Sequence, residues 1–541
     1  MSVEGRSDLP QAADTEGALP AGDGWILILL CLLAAGSLVP VWTVPVLPLQ
    51  DLPNHLLKID IFQRILHGEA QASAVYALNL GLLANYACYV AILALSPWLG
   101  TMGAAKVFVS FILAGLPVAA YLFLRRANPG HTYFALAAPT LGFNLFLMMG
   151  NLNFCFALAV YLLCLAALEA PHATPQRLPV AFTLLATLLY FSHGFVFLTL
   201  AGVTGCLLLL DFSTALLRRS LGLVPGLLCL AATLIEALLS GPGAPGALHP
   251  AFSGPGTDSI RVALVWLINP HGRGYDTYLA LGWVSVMAAG ASWALGNAAG
   301  EARRRPGSAR NLIRANRWLV IGALLGVAYF VAPDQLRDWW HLRMRFSPLC
   351  ALTLLGGLKA PSGKWFRAGM AALLVVAALA VQTRNGQEFR RRSADVQEYL
   401  GGIDAVEEGS SLLPVENLEP GPKYRVNLHA WGYYAMAKGG WAPYLHAQPA
   451  YNPVIYRVTP WGPGEGMPVP PDGTLRRVAA CYDYVILWNP REGDARALRP
   501  YFELVRSSRR LRIWRNRAGL RKAPPSAVPA CVMDFSGKPP A

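Results

Sequence analysis

The chain has 541 residues, 54% of them hydrophobic and only 14% charged, with a formal net charge of +14. Soluble domains carry about 25% charged residues, so this composition excludes an ordinary water-soluble protein. The positive charge does not imply nucleic acid. It sits in short linkers between apolar runs (Arg125/Arg126, Arg177, Arg218/Arg219, Arg303–Arg305 with Arg310, Arg314 and Arg317, then Lys359, Lys364 and Arg367), which is the positive-inside pattern of membrane proteins.

Residues 1–24 are polar, acidic and rich in Gly, Pro and Ala, and read as a disordered tail. From Trp25 to Val381 apolar runs of ~15–22 residues follow one another, more than any soluble core needs. The first run has an acidic flank and no small-residue cleavage site before a soluble domain, so it reads as a helix and not a signal peptide. Helices are expected at 25–47, 77–97, 104–124, 132–149, 152–169, 178–191, 195–211, 220–240, 278–297, 317–332, 345–358 and 368–383. The fold class is a multi-pass α-helical membrane protein of about 11–12 helices, with a C-terminal α+β extracytoplasmic domain. The expected division is a tail over 1–24, a transmembrane domain over 25–384 and the outer domain over 385–541.

Placing each basic linker from Arg125 onward in the cytoplasm makes the runs alternate to the end and leaves the C-terminal domain outside. Four linkers then share the outer side: Gly150–Phe154, Ser192–Gly194, the long loop 241–277 and Pro333–Arg345. Twelve crossings put the tail outside and the loop 48–76 inside; eleven reverse both. The run 77–97 carries Asn79, Asn85, Tyr86 and Tyr89, so it reads as re-entrant or interfacial, which favours an outer first loop.

The C-terminal part is rich in Pro, Gly and aromatics. Tyr482–Trp488 alternates and ends at Asn489-Pro490, a strand pattern; Phe502–Val505 with Arg510–Trp514 reads as a hairpin, and Asp395–Leu400 as a helix. Seven of the nine cysteines lie in apolar segments. Cys481 and Cys531 lie in the C-terminal domain and can pair if it faces an oxidising compartment. No Cys/His spacing typical of a metal site occurs, and no metal ligand is expected.

Three groups of polar residues stand out. The first loop opens Gln50-Asp51-Leu-Pro53-Asn54-His55, with Lys58 one turn on. Pro53 starts a short helix, Asp51 sits near its N-cap, and His55 and Lys58 share a face. A carboxylate and an imidazole one turn apart suit general-base work; a plain helix cap with an interfacial histidine is the competing reading. The second group is His341, Arg343 and Arg345 after Trp339-Trp340, suited to an anionic phosphate or to an aromatic belt with snorkelling arginines. The third is Asn151 and Asn153 with His193, polar residues interrupting apolar runs, as turns or as substrate contacts. His271, Arg273 and Asp276 end the long outer loop and either line the same cavity or cap a loop. His429 with Tyr433/Tyr434 reads as a folding determinant of the outer domain.

An Asp-bearing loop after the first helix, ten or more further helices and a C-terminal outer domain resemble the GT-C superfamily of membrane glycosyltransferases, which includes protein mannosyltransferases and lipid A aminoarabinose transferases. The Asp51-Leu-Pro-Asn-His55 segment is similar to the Asp-x-Pro-x-His of uncharacterised bacterial membrane proteins of this kind. The resemblance implies transfer of a sugar from a polyprenyl-phosphate carrier to a glycan, lipid or protein acceptor at the outer face of the bacterial inner membrane. It implies Asp51 as general base or metal contact and Arg343 or Arg345 as the phosphate ligand. Gln50 stands where a second carboxylate would support a tightly bound metal, so no cofactor is implied. Two other classes compete. A transporter or flippase would carry intramembrane charged pairs and inverted repeats, and few such charges and no repeat are evident. A non-catalytic scaffold would use the outer domain to bind a partner.

Overall fold

The computed structural model describes residues 24–82, 84–170, 177–239, 250–251, 259–268, 274–304, 309–336, 340–361, 363–417, 424–447, 452–527 and 531–533. Among them, five helices are long and apolar enough to cross a membrane, joined by four shorter apolar helices. The chain is thus a multi-pass helical membrane protein with a small sheet in its C-terminal part.

Helix α1 (Gly24–Trp42) is apolar on all sides: Ile26, Leu30 and Leu33 are buried while Ile28 and Leu32 face outward. Such a helix belongs in lipid, where outward apolar side chains cost nothing. Its partner is the long helix Lys364–Leu400. There Gln382 Nε2 donates to Leu33 O at 2.7 Å and to Ser37 Oγ at 2.9 Å, a polar link inside an otherwise apolar seam. At 37 residues and about 1.5 Å per residue, this helix outruns the ~30 Å hydrocarbon layer and carries the chain out to the C-terminal domain. Beyond the apolar part its charges pair in sequence: Arg384 with Glu388 at 2.8 Å, and Asp395 with Arg510 of the sheet at 2.9 Å.

The first loop folds into α2 (Leu52–Leu66) and the short α3 (Ala70–Val75), followed by β1 (Tyr76–Leu78). Here the structure corrects the helix expected over 77–97. Residues Tyr76–Leu78 pair antiparallel with Val454–Tyr456 of the C-terminal domain, and helix α4 (Ala87–Ala127) starts ten residues later than expected. The polar Asn79 and Asn85 therefore serve a strand end and a turn. Within α4, Gly100 adopts φ 66° and ψ 163°, outside helical values, with Pro97 just before it. The piece before this break spans about 20 Å at the helical rise, short of a full crossing.

The C-terminal sheet has strand order 412–416, 484–488, 511–516, 502–507. The first pair is parallel and the others antiparallel, so the expected strand and hairpin are both present. Tyr484–Trp488 is wholly buried, as a central strand of β-branched and aromatic residues should be. Cys481 and Cys531 form a disulfide, with Cα atoms 5.3 Å apart.

Helix α2 is clamped between two apolar cores. Leu52, Leu56 and Ile59 join the core of the membrane helices, while Leu57 and Ile61 join that of the C-terminal domain. Gly432, in helix Trp431–Lys438, lies so close that an added Cβ would stand 3.0 Å from Pro53 O.

The disulfide spans a sequence separation of 50. Removing it by Cys481→Ala with Cys531→Ala is expected to lower the stability of the C-terminal domain by about 4 kcal/mol on the loop-entropy argument. Denaturant unfolding followed by tryptophan fluorescence checks this.

Candidate active site

A cavity of about 530 Å³ lies where the first loop, the hairpin turns of the membrane helices and the C-terminal domain meet. The first loop contributes Gln50, Asp51, Asn54, His55 and Lys58; the turns contribute Asn151, Asn153, His193, His341 and Arg345; the C-terminal domain contributes Arg425, His429, His446, Asn452 and Glu465. Three of the four linkers expected to share one side, 150–154, 192–194 and 333–345, thus converge with the first loop, although 51 and 345 are nearly 300 residues apart in sequence.

Asp51 occupies the N-cap of α2, yet its carboxylate caps nothing, since no side-chain cap bond forms there. Its backbone is pinned instead: Asp51 N–H donates to Met149 O at 2.9 Å and Gln50 N–H to Met148 O at 3.1 Å. The turn that makes this possible is Gly150, at φ 85°, where a Cβ would stand 2.9 Å from Asp51 N. Only glycine combines that left-handed backbone with so close an approach.

The freed carboxylate faces His429. Asp51 Oδ1 stands 3.0 Å from His429 Nδ1, and Glu465 Oε1 stands 2.9 Å from His429 Nε2. His429 is only 1% exposed. Burial pushes its pKa down, but the two carboxylates outweigh it and raise it to about 10. Burial likewise pushes Asp51 up, yet His429 holds it below its ordinary value, and Glu465 is held at about 2 for the same reason. Asp51 is therefore ionised at neutral pH.

His55 is spoken for. Its Nε2 donates to Gly150 O at 3.1 Å, so Nδ1 accepts from the Tyr89 hydroxyl at 2.8 Å. Burial and the neighbouring Lys58 push its pKa to about 3. The imidazole is neutral and both of its nitrogens are bonded, which fixes the first loop to the turn at Gly150 and to Tyr89. Lys58 donates to Asn452 Oδ1 at 2.6 Å, and burial lowers its pKa to about 7. Asn54 is 1% exposed, and neither its amide nitrogen nor its oxygen has a hydrogen-bond partner among the described residues. A buried amide left this way beside a cavity points to a ligand.

Of the arginine pair, Arg345 reaches the cavity and Arg343 does not. Arg343 pairs with Asp334 at 2.9 Å and lies over the Tyr329 ring. The two are separated by one residue of a tight 3-10 turn, which sends their side chains in different directions. Arg345 contacts His193 Nε2 and packs over the Phe146 and Phe154 rings. His341 holds a left-handed backbone, φ 58°, and its ring packs on Trp266. Asn151 lines the cavity. Asn153 lines it too, but its amide bonds the start of α4: Oδ1 accepts from Cys88 N–H at 2.8 Å and Nδ2 donates to Asn85 O at 2.7 Å. His271, Arg273 and the Asp276 side chain lie outside the described residues.

Sequence reasoning missed the C-terminal contribution. His429, expected only as a folding determinant, places its ring between two carboxylates and lines the cavity. His446, Asn452, Glu465 and Arg425 went unnoticed. The available signal was Gly464-Glu465-Gly466, both glycines at positive φ, which turns the glutamate out of an irregular loop. His429, His446 and Glu465 also form a group whose potential ligand atoms all lie within 4.8 Å of one another. Spacing along the chain gave no hint of it, since the three come from separate loops.

No protein-family model and no curated protein sequence matches the chain. Solved structures do. The crystal structure of ArnT from Cupriavidus metallidurans bound to undecaprenyl phosphate is similar with a TM-score of 0.54 at 12% identity, over 92% of this chain and 99% of that one. ArnT in the apo state is similar with a TM-score of 0.55 at 12% identity, over 92% and 98%. The arabinofuranosyltransferase AftD from Mycobacteria is similar with a TM-score of 0.49 at 14% identity, over 92% of this chain and 40% of that one. The chain has the fold of the ArnT structures.

We expect Gly150→Ala to break the Asp51–Met149 backbone bond and cost about 1–3 kcal/mol through backbone strain. A fall of several degrees in the thermal midpoint checks this.

Proposed function

We propose that the protein is a membrane glycosyltransferase that moves a sugar from a polyprenyl-phosphate carrier to an acceptor hydroxyl at the outer face of the inner membrane. The carrying observation is the Asp51 carboxylate, released from helix capping, ionised, and lining one cavity with the Arg345 guanidinium and the Lys58 amine. A pocket bearing a base and cations suits a reaction in which one oxygen loses a proton and another leaves as phosphate. The shared fold with ArnT, crystallised with undecaprenyl phosphate, supports the same reading.

The step is a single displacement. The acceptor oxygen bonds to the anomeric carbon while the bond from that carbon to the phosphate oxygen breaks. The acceptor proton passes to Asp51, and the bonding electrons leave with the polyprenyl phosphate. Arg345, Lys58 and Arg425 stabilise the charge gained by that phosphate. Asn54 offers its unused donor and acceptor to sugar hydroxyls. His429 and Glu465 keep Asp51 ionised and aimed. The lipid chain lies along the membrane helices and supplies positioning without chemistry.

Asp51→Asn is expected to reduce transfer by about 10²–10⁴-fold, the range for a lost general base, with protein abundance unchanged. Arg345→Ala is expected to reduce it by about 10²–10³-fold. Unchanged lipid-linked or surface glycan in both variants overturns the enzyme reading. Lys58 yields a pH test. Its folded pKa of about 7 lies below the ordinary lysine value because of burial. In the free protein the ammonium is charged below that pH and neutral above it, so affinity for a polyprenyl phosphate should fall as pH rises through about 7. Lys58→Met should remove that step, leaving only the titration of the ligand; binding isotherms across a pH series check this.

A further inference from the structure

We propose that Arg390 and Arg391, on the long helix Lys364–Leu400, bind the headgroup of an anionic glycerophospholipid of the phosphatidylglycerol type, in the leaflet on the side of the C-terminal domain. The site lies outside the cavity and does not depend on the transfer reading.

The helix carries a run of three arginines, and its neighbours divide them. Arg392 turns inward, toward Glu388 at 3.8 Å and Asp395 at 3.9 Å, and lies over the Tyr424 ring. One turn earlier, the buried Arg384 pairs with Glu388 at 2.8 Å. Arg390 and Arg391 are exposed, and their guanidinium groups have no ion pair or hydrogen bond among the described residues. The inward arginines are thus matched by carboxylates of this chain, and the outward two are matched by none.

The outward direction is the lipid direction. Leu373, Val376 and Leu379 of the same helix are 50%, 62% and 50% exposed, an apolar stripe suited to acyl chains. At about 3.6 residues per turn, Arg391 falls directly in line with Leu373, and Arg390 within about 20° of Leu379. The stripe that meets hydrocarbon therefore runs on into the two arginines.

Their depth fits as well. Trp365, 81% exposed and lying against Lys364, marks the other membrane surface, as exposed tryptophans do. A hydrocarbon layer of ~30 Å takes about twenty residues at the helical rise and ends near residue 385. Arg390 and Arg391 stand ~8–9 Å beyond that level, at the top of a headgroup layer ~5–8 Å thick. Side chains on a helix lean toward its N-terminus, which here is the bilayer side, so both guanidinium groups reach back among the phosphates. Two adjacent, uncompensated cations favour a lipid with net negative charge over a zwitterionic one. Basic residues this close to a span, on the side expected to be outside, also run against the positive-inside bias.

The full chain, purified in detergent, is titrated with phosphatidylglycerol and separately with phosphatidylcholine of the same acyl chains, and bound lipid is counted by native mass spectrometry. Phosphatidylglycerol is expected to bind more tightly by roughly tenfold or more. Arg390→Gln and Arg391→Gln should each weaken it by roughly fivefold, and the double variant by roughly 25-fold, to the level of phosphatidylcholine. Since these guanidinium groups bond nothing within the fold, the double variant without added lipid should keep the native thermal midpoint. Arg506→Gln, the same charge change at an exposed position on the sheet, should leave binding unaltered. No preference for phosphatidylglycerol in the native chain overturns the proposal. So does a preference that survives the double variant, or one that Arg506→Gln weakens equally. A preference lost in Arg345→Ala but kept in the double variant places the lipid in the cavity and overturns it too.

Discussion

A buried imidazole between two carboxylates governs how this molecule is assembled. His429 belongs to the C-terminal domain, Asp51 to the loop behind the first membrane helix, and Glu465 to a distant turn. A buried charge deprived of its partner costs several kcal/mol, so none of the three can be withdrawn without penalty. The contact therefore works as a registration point. It holds α2 in the slot between two apolar cores and holds the first loop against the domain that closes the cavity.

Around that contact, backbone devices do most of the positioning. Gly150 lets the first loop press onto the turn before Leu152–Leu168. Gly432 lets helix Trp431–Lys438 press onto Pro53. Gln50 extends the same join, its Oε1 accepting from Arg425 N–H at 2.8 Å. Three segments far apart in sequence are thereby brought to within hydrogen-bond reach. Side chains then divide into those that build and those left to act. His55 and Asn153 spend their bonding groups on the scaffold, whereas Asn54 keeps both of its own.

Much of this was legible beforehand, unevenly. The apolar runs read out as helices because a run that long has few other fates. Asp51, His55 and Lys58 were singled out because a carboxylate and an imidazole fall one turn apart at a helix start, with a lysine on the same face. Arg345 was found along with Arg343, which a single intervening residue sends to Asp334 instead. The run 77–97 misled because its apolar content reads as helix, while its first residues pair with a strand nearly four hundred residues later. Local propensity carries no information about such a partner.

The sequence by itself determined the solvent: its hydrophobic runs and linker charges demand a bilayer, since burial of apolar surface depends on composition and needs no knowledge of neighbours. It also determined which residue types stood ready for chemistry in the first loop. Only the tertiary structure decided which of them meet. The pairing of Asp51 with His429 and the gathering of His446 and Glu465 depend on chain closure across hundreds of residues. Close-range electrostatics act through space over a few ångströms, and a linear order of residues does not contain those distances.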